Sequence, residues 1–178
     1  MTETLSPSSV MEHLGLIPLQ PEGGFFALNH LSSQVIKVKS IGSKEQDHPL
    51  YSAIYYLLTT EADSFSAFHR LPSDEIYHHY IGLPVDIYLI DPEGDLEVVT
   101  LGDDIVAGQR PQICVPAFCW QASQVKQKPD PTFDYALLGT TMAPGYIDKD
   151  FELGQRDQLL QLFPHHAEVI TKLTRQKS

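Results

Sequence analysis

The segment from Phe68 to Gly82, with the sequence FHRLPSDEIYHHYIG, concentrates side chains that can move protons or bind ligands. It contains three histidines, two tyrosines, an arginine, an aspartate and a glutamate. An imidazole titrates near neutral pH, so it can act as a general base or a metal ligand, and a neighbouring carboxylate can orient it. The segment is therefore compatible with a metal site, an acid–base pair, a ligand pocket or a polar strand.

The alternation of side chains along a β-strand divides this segment between two faces. In a regular strand Glu75, Tyr77 and His79 point to one side, and we expect His69, before the turn, to join them. His78 and its alternate neighbour Tyr80 then point to the other side.

The elements that must position these residues are mostly short strands. Segments such as YSAIYYLLTT, VDIYLI, LEVVTL and DYALLGTTM are separated by Gly, Pro and Asp turns. The apolar run YSAIYYLLTT is typical of a strand that is buried on both faces. Many short strands at regular spacing predict a β-sandwich or barrel.

Helical signals are confined to the two ends of the chain. Ser6 as N-cap, Pro7 in the first turn and Gly15 after the last turn predict a short helix over about residues 7–14. From about residue 152 to 175 the apolar spacing becomes helical, with a break at Pro164. We expect two short amphipathic helices there, packed on the barrel.

Composition restricts the class of protein. The chain has 178 residues and a formal net charge of −11, which fits one globular domain and argues against a nucleic-acid partner. Cys114 and Cys119 form no CxxC motif and cannot build a zinc site alone. With no secretion signal or membrane-spanning run in the sequence, we expect a cytoplasmic protein with reduced thiols.

Five segments, found in the same order, resemble the cupin superfamily and within it an uncharacterised RmlC-like family of small single-domain proteins. They are PEGG (21–24), IYYLLT (54–59), FHRLPSDEIYHHYIG (68–82), LGDDIVAGQRPQICVPAFCWQA (101–122) and LLGTTMAPGYIDKDFELGQRDQLL (137–160). The resemblance implies a mainly β fold, a double-stranded β-helix or jelly-roll barrel, over about residues 20–145. It also implies a single cupin domain over residues 1–178, usually in homodimers.

The metal-binding pattern of cupins is incomplete in this sequence. His69 and Glu75 occupy two of the four ligand places, but Leu71 and Gln121 stand in the other two, where histidine is usual. Leucine has no lone pair and an amide is a poor ligand for transition metals. His79 cannot substitute, because its Cα lies about 13 Å from that of Glu75 along a strand. We predict no cofactor, and His69, Glu75 and Gln121 remain weak metal candidates.

Without a metal, the interior face is predicted to form a small-molecule pocket. The candidate catalytic residues are His69, Glu75 and Tyr77. The candidate ligand-binding residues are His69, Glu75, Tyr77, His79, Trp120 and Gln121. The alternative for the whole set is a polar cluster that is satisfied internally, and for Trp120, the only tryptophan, it is core packing.

Several functions are compatible with this pattern. The first is the binding of a small polar or sugar-like ligand, without turnover. The second is a metal-free sugar epimerase or isomerase in which His69 is the base and a tyrosine such as Tyr77 is the acid. A metal-dependent cupin enzyme and a purely structural homodimer are the others.

Overall fold

A computed structural model of the chain describes residues 5–39, 45–126 and 133–176. The strands are β1 (Ile17–Pro18), β2 (Phe25–Leu31), β3 (Val35–Lys39), β4 (Glu45–Pro49), β5 (Ser52–Thr59), β6 (Phe65–Arg70), β7 (Glu75–Gly82), β8 (Val85–Ile90), β9 (Leu96–Leu101), β10 (Gln112–Val115), β11 (Trp120–Val125), β12 (Tyr135–Met142) and β13 (Glu152–Leu153). The helices are α1 (Pro7–Leu14), α2 (Arg156–Leu162) and α3 (Ala167–Lys172), with short 3-10 turns at Asp148–Asp150 and Pro164–His166.

In the described part of the chain, two sheets face each other and form the barrel. One has the strand order β1-β2-β5-β12-β7-β10, and the other has the order β13-β6-β11-β8-β9. From β5 to β8 the chain changes sheet at every strand, and it does so again from β9 to β13. This winding is that of a double-stranded jelly roll, so the predicted fold class is confirmed.

The apolar run of β5 occupies a central position in the six-stranded sheet, between β2 and β12. Leu58 packs into the barrel interior, whereas its neighbour Leu57 packs on the outer face against Val10 of α1. Both leucines are fully buried. The strand is therefore covered on both faces, which is why its sequence does not alternate.

The first helix begins and ends where the sequence predicts. The Ser6 side chain accepts a hydrogen bond of 3.2 Å from the Ser9 backbone N–H, which satisfies one of the free donors of the first turn. Gly15 ends α1 in the left-handed region, with φ 65°. The two caps therefore fix where α1 begins and ends, and its buried residue Val10 packs on the sheet.

The C-terminal helices cover the outer face of the five-stranded sheet. Leu159, Ile170 and Leu173 form a second core with Phe68 and Trp120, apart from the core inside the barrel. The two predicted helices are thus confirmed, and the break at Pro164 is a 3-10 turn between them. No helix in the described ranges is both long and apolar enough to span a membrane.

Candidate functional site

A cavity of about 880 Å³ opens at one end of the barrel. The start of β5, the end of β6, the start of β7 and the end of β12 meet there, and the chain segments before β2 and after β12 form the rim. The lining residues are Pro18, Leu19, Gln20, Pro21, Glu22, Phe26, Leu28, Leu31, Ser52, Ile54, His69, Leu71, Glu75, Thr140, Met142, Tyr146, Ile147, Asp148 and Phe151. Most of these side chains are apolar, and a few polar groups converge among them.

His69 presents one ring nitrogen to this cavity. Its Nδ1 lies 2.8 Å from the carbonyl oxygen of Ala67, and since a carbonyl only accepts, Nδ1 carries the hydrogen in that bond. In the neutral ring, Nε2 therefore keeps its lone pair. The imidazole stacks on Phe151, with 5.4 Å between ring centroids, and its side chain is only 3% exposed. The ring is thus fixed in both orientation and tautomer.

Glu75, the first residue of β7, lies on the same cavity wall. The side-chain amide of Gln121 donates a hydrogen bond of 2.8 Å to its Oε2. Burial raises the pKa of the Glu75 carboxyl, and the nearby His69 opposes the rise. His69, Glu75 and Gln121 are therefore brought together as the sequence predicts, because His69 and Gln121 are directly paired residues of β6 and β11.

Glu22 is a cavity residue that the sequence reasoning did not assign. Its Oε2 lies 3.9 Å from Nε2 of His69, and its Oε1 accepts a hydrogen bond of 2.6 Å from the Ser66 hydroxyl. The following glycines, Gly23 and Gly24, have φ angles of 119° and 70°, which side chains rarely adopt. This tight turn places Glu22 against β6, so the PEGG segment was the available signal.

The tyrosine that lines the cavity is not the one that the sequence analysis named. Tyr77 is buried next to Glu75 and is not among the cavity-lining residues. Burial, followed by the charge of Glu75, raises the pKa of Tyr77 well above its usual value. Tyr146 lines the cavity instead and is 39% exposed. Partial burial and then the charge of Asp148 raise the pKa of Tyr146.

The segment that carries Tyr146 is held by a buried histidine. Nδ1 of His48 donates a hydrogen bond of 3.0 Å to the carbonyl oxygen of Gly145, and its Nε2 lies 3.4 Å from a carboxylate oxygen of Asp150. His48 is 1% exposed. Because Tyr146 and Phe151 belong to this segment, His48 helps to fix the rim of the cavity.

Besides Tyr77 and Gln121, two more predicted ligand-binding residues do not line the cavity. His79 lies four residues beyond Glu75 on β7, where its Nε2 is 3.2 Å from the Leu83 carbonyl oxygen. Trp120 packs in the second core with the C-terminal helices, and the Arg70 guanidinium lies 4.6 Å from its ring centroid. The structure does not bring either residue to this cavity. Trp120 points outward because its neighbour Gln121 points inward, as alternation along β11 requires.

The donor set does not fit a transition-metal centre. The Gln121 amide turns its nitrogen towards Glu75, and its Oε1 is buried without a hydrogen-bond partner. Leu71 contributes only carbon to the cavity wall. Within residues 5–39, 45–126 and 133–176, no group of three or more His, Cys, Asp or Glu side chains is arranged to hold a metal ion.

A jelly-roll barrel with a mostly apolar cavity at one end, where a few polar groups converge, defines the class of protein. The family model described as "Cupin superfamily (DUF985)" matches residues 8–154, so the chain belongs to this cupin family. A comparison with curated proteins finds no match.

Solved structures agree with the family assignment. A crystal structure of a Shewanella oneidensis protein is 33% identical, with a TM-score of 0.84, and the match covers 98% of this chain and all of that one. A hypothetical protein from Leishmania major is 28% identical, with a TM-score of 0.86, over 97% of this chain and all of that one. A Bacillus subtilis oxalate decarboxylase variant has a TM-score of 0.50 at 10% identity, over 99% of this chain and 42% of that one, which reflects the fold alone.

Proposed function

We propose that this cupin binds a small polar, sugar-like ligand in the cavity at the end of the barrel. The observation that carries the proposal is the lone pair of His69 Nε2, which is left unbonded at the wall of a cavity of about 880 Å³. Its nearest charged neighbour in the described structure is the Glu22 carboxylate, at 3.9 Å, beyond hydrogen-bonding distance. A ligand hydroxyl between these two groups would donate to one of them.

The walls of the cavity suit a ligand with both polar and apolar surface. Leu28, Ile54 and Met142 supply apolar contact area, and Phe151 supports the His69 ring. Small-molecule sites usually combine such walls with a few polar groups that fix orientation. The ring carbons of a sugar would contact the walls while its hydroxyls meet Glu22, His69 and Glu75.

A binding experiment tests this proposal. The chain would be screened by ligand-detected NMR against free sugars, polyols, sugar acids and nucleotide sugars. The expected result is a compound whose binding weakens about five- to tenfold in His69→Phe, because one hydrogen bond to a ligand is worth about 1–1.5 kcal/mol. His13→Ala is the control, because His13 is an exposed residue of α1. Compounds that bind wild type and His69→Phe equally would contradict the proposal.

The same geometry favours a second candidate function, a metal-free sugar epimerase or isomerase. His69 Nε2 would take the proton next to a substrate carbonyl, and a tyrosine hydroxyl would return a proton to the resulting enolate. The sequence interpretation assigns the acid to Tyr77. The cavity offers Tyr146 instead, since Tyr146 lines it and Tyr77 does not.

Solvent exchange separates turnover from binding. In D₂O, an active epimerase would incorporate deuterium next to the carbonyl of its substrate, as measured by mass spectrometry. His69→Ala should abolish the deuterium exchange. Tyr146→Phe should still exchange deuterium, because His69 can still take the proton, but it should no longer form the epimer. Tyr77→Phe is the matched control. Loss of epimerisation in Tyr77→Phe but not in Tyr146→Phe would restore Tyr77 as the acid.

We further propose a cytoplasmic homodimer, as the family resemblance implies. Tyr80 and Ile81 of β7 are 52% and 43% exposed, and this pair of apolar side chains supports an interface there. Light scattering should give about twice the chain mass of 19.9 kDa. Tyr80→Lys should shift the protein towards monomer, and Val98→Lys, at an exposed position of β9, should not. A wild-type monomer would overturn this assignment.

A further inference from the structure

The charges that line the cavity are almost all negative. Glu22, Glu75 and Asp148 contribute carboxyl groups, and His69 is the one basic side chain among the described lining residues. Neither lysine nor arginine lines the cavity within residues 5–39, 45–126 and 133–176.

The two arginines closest in the fold are engaged elsewhere. Arg70 follows His69 on β6, but its Nε donates to Glu152 at 2.7 Å on the outer face of the sheet. Arg175 donates to the backbone carbonyl oxygens of Glu22 and Phe65, and its guanidinium lies 4.3 Å from the Phe65 ring centroid. Neither guanidinium is available to an anion inside the barrel.

Sites that bind phosphate or carboxylate use arginine, lysine or a helix N-terminus. The described cavity lining has neither of those basic side chains, and it is built from strands and connecting segments. An anionic ligand group would meet the Glu22 carboxylate at short range, in a partly enclosed volume where screening by water is reduced. Hydroxyl and ammonium groups, in contrast, donate to the acceptors that this cavity presents.

We propose that the ligand of this cavity is a hydroxyl-rich compound without phosphate or carboxylate, that is, a free or amine-bearing sugar or polyol rather than a sugar phosphate or nucleotide sugar. This inference rests on the proposed ligand-binding function and specifies its ligand class. His69 Nε2 and the Glu22 carboxylate are the acceptors that select this class.

Matched ligands test the selection directly. Calorimetry would compare the affinities of a neutral hexose, its 2-amino form, its 6-phosphate and its nucleoside-diphosphate derivative. The neutral or amino form should bind at least about tenfold more tightly than either phosphorylated form, because of repulsion from like charges at short range. Leu31 lines the cavity and is 48% exposed, so Leu31→Lys places a cation at the rim. This variant should reduce the difference in affinity between the unphosphorylated and phosphorylated sugars. Leu162→Lys, at a 55% exposed position of α2, is the control.

A second measurement needs no ligand. Three nitroxides of similar size, carrying an amine, a hydroxyl or a carboxylate, would be added separately, and broadening of the His69 imidazole signal would be compared with that of exposed His13. The broadening of the His69 signal, divided by that of the His13 signal, should be largest with the amine nitroxide, intermediate with the hydroxyl and smallest with the carboxylate. Leu31→Lys should reduce the differences among the three nitroxides. Glu22→Gln should reduce these differences as well, because Gln keeps an acceptor for the Ser66 hydroxyl but removes the negative charge.

The two measurements separate this inference from the proposed function. If no compound in the matched set binds but the nitroxide order is observed, the ligand-binding function fails while the selection against anions stands. Tighter binding of a phosphorylated sugar, or a carboxylate nitroxide that broadens His69 most strongly, would overturn the selection even if the cavity binds ligands.

Discussion

His69, Glu75 and Glu22 depend on one another at the residue scale. The carbonyl oxygen of Ala67 fixes the tautomer of His69, and Gln121 occupies one oxygen of Glu75. Glu22 is held by Ser66 and by the turn that follows it. The ring nitrogen that faces the cavity therefore owes its position to hydrogen bonds that do not involve a ligand, which is the condition for a preorganised acceptor.

Glu75 is predicted to make the stability of the protein depend on pH. Because burial raises its pKa, the folded state holds the Glu75 proton to higher pH than the unfolded state does. The folded state is thus disfavoured as pH rises through the interval between the unfolded and folded pKa values. Glu75→Gln should therefore gain stability relative to wild type at pH 7, and this gain should shrink towards pH 4.

Urea denaturation across this pH range measures the effect. Glu97→Gln, at an exposed position of β9, is the matched control and should show no such trend. A difference between Glu75→Gln and wild type that stays constant with pH would show that Glu75 does not titrate in this interval.

Phe118 carries backbone strain in the turn between β10 and β11. Its φ is 68°, and its side chain is 42% exposed. A left-handed conformation costs a residue with a Cβ about 1–2 kcal/mol. Phe118→Gly should therefore be more stable than Phe118→Ala by about 1 kcal/mol, since both lose the ring but only glycine relieves the strain. Equal unfolding free energies in denaturant would contradict this account.

The PEGG turn links the rim of the cavity to the body of the barrel at the element scale. The Ala67 backbone N–H donates to the Glu22 carbonyl oxygen at 3.0 Å, and the Tyr56 hydroxyl donates to that of Gly23 at 2.9 Å. A Cβ on Gly23 would collide with the Phe65 carbonyl oxygen and with the Arg175 side chain. The close approach therefore requires glycine.

Gly23→Ala is predicted to lower the free energy of unfolding by about 2–4 kcal/mol, since it adds overpacking to an unfavourable φ. It should also move Glu22 away from His69, which a change in the His69 NMR signals would report. Gly108→Ala is the matched control, because Gly108 has φ 85° with no atom within 4 Å of the added Cβ. It should cost about 1 kcal/mol and leave His69 unchanged. If the two variants lose similar amounts of unfolding free energy, close packing around Gly23 does not contribute to the effect.

At the scale of the whole molecule, one strand connects the cavity to a separate core. In β6, His69 faces the cavity while its neighbour Phe68 packs in the second core under the C-terminal helices. The backbone of Phe68 donates to Leu173 and accepts from Gly154, at 2.8 and 2.7 Å. The C-terminal segment thus supports β6 from outside the barrel.

Removing packing from that outer core is predicted to destabilise the molecule. Leu159→Ala should lower the unfolding free energy by about 2–5 kcal/mol, because Leu159 is fully buried and its loss leaves a cavity. Leu162→Ala, on the exposed side of the same helix, should cost much less. Denaturant titration measures both. A small loss in Leu159→Ala would indicate that the C-terminal helices are only loosely coupled to the barrel.

The sequence by itself determined the fold and half of the site. Cap residues located α1, the unbroken apolar run located β5, and the ordered cupin-like segments gave the jelly roll. Strand alternation and the motif spacing also brought His69, Glu75 and Gln121 together. The caps and the apolar run are local patterns that a single chain displays directly, whereas the jelly roll and the grouping of His69, Glu75 and Gln121 were implied by the resemblance to cupins.

Only the tertiary structure decided which other side chains reach the cavity. Glu22 and Tyr146 come from segments far apart in sequence, and the fold brings them to the mouth of the barrel near His69. The same fold buries Trp120 under the C-terminal helices and places His79 beside the Leu83 carbonyl oxygen, outside the cavity lining. The physical reason is that position along a strand and the side of a sheet are set by long-range strand pairing, whereas residue type and spacing report only local geometry.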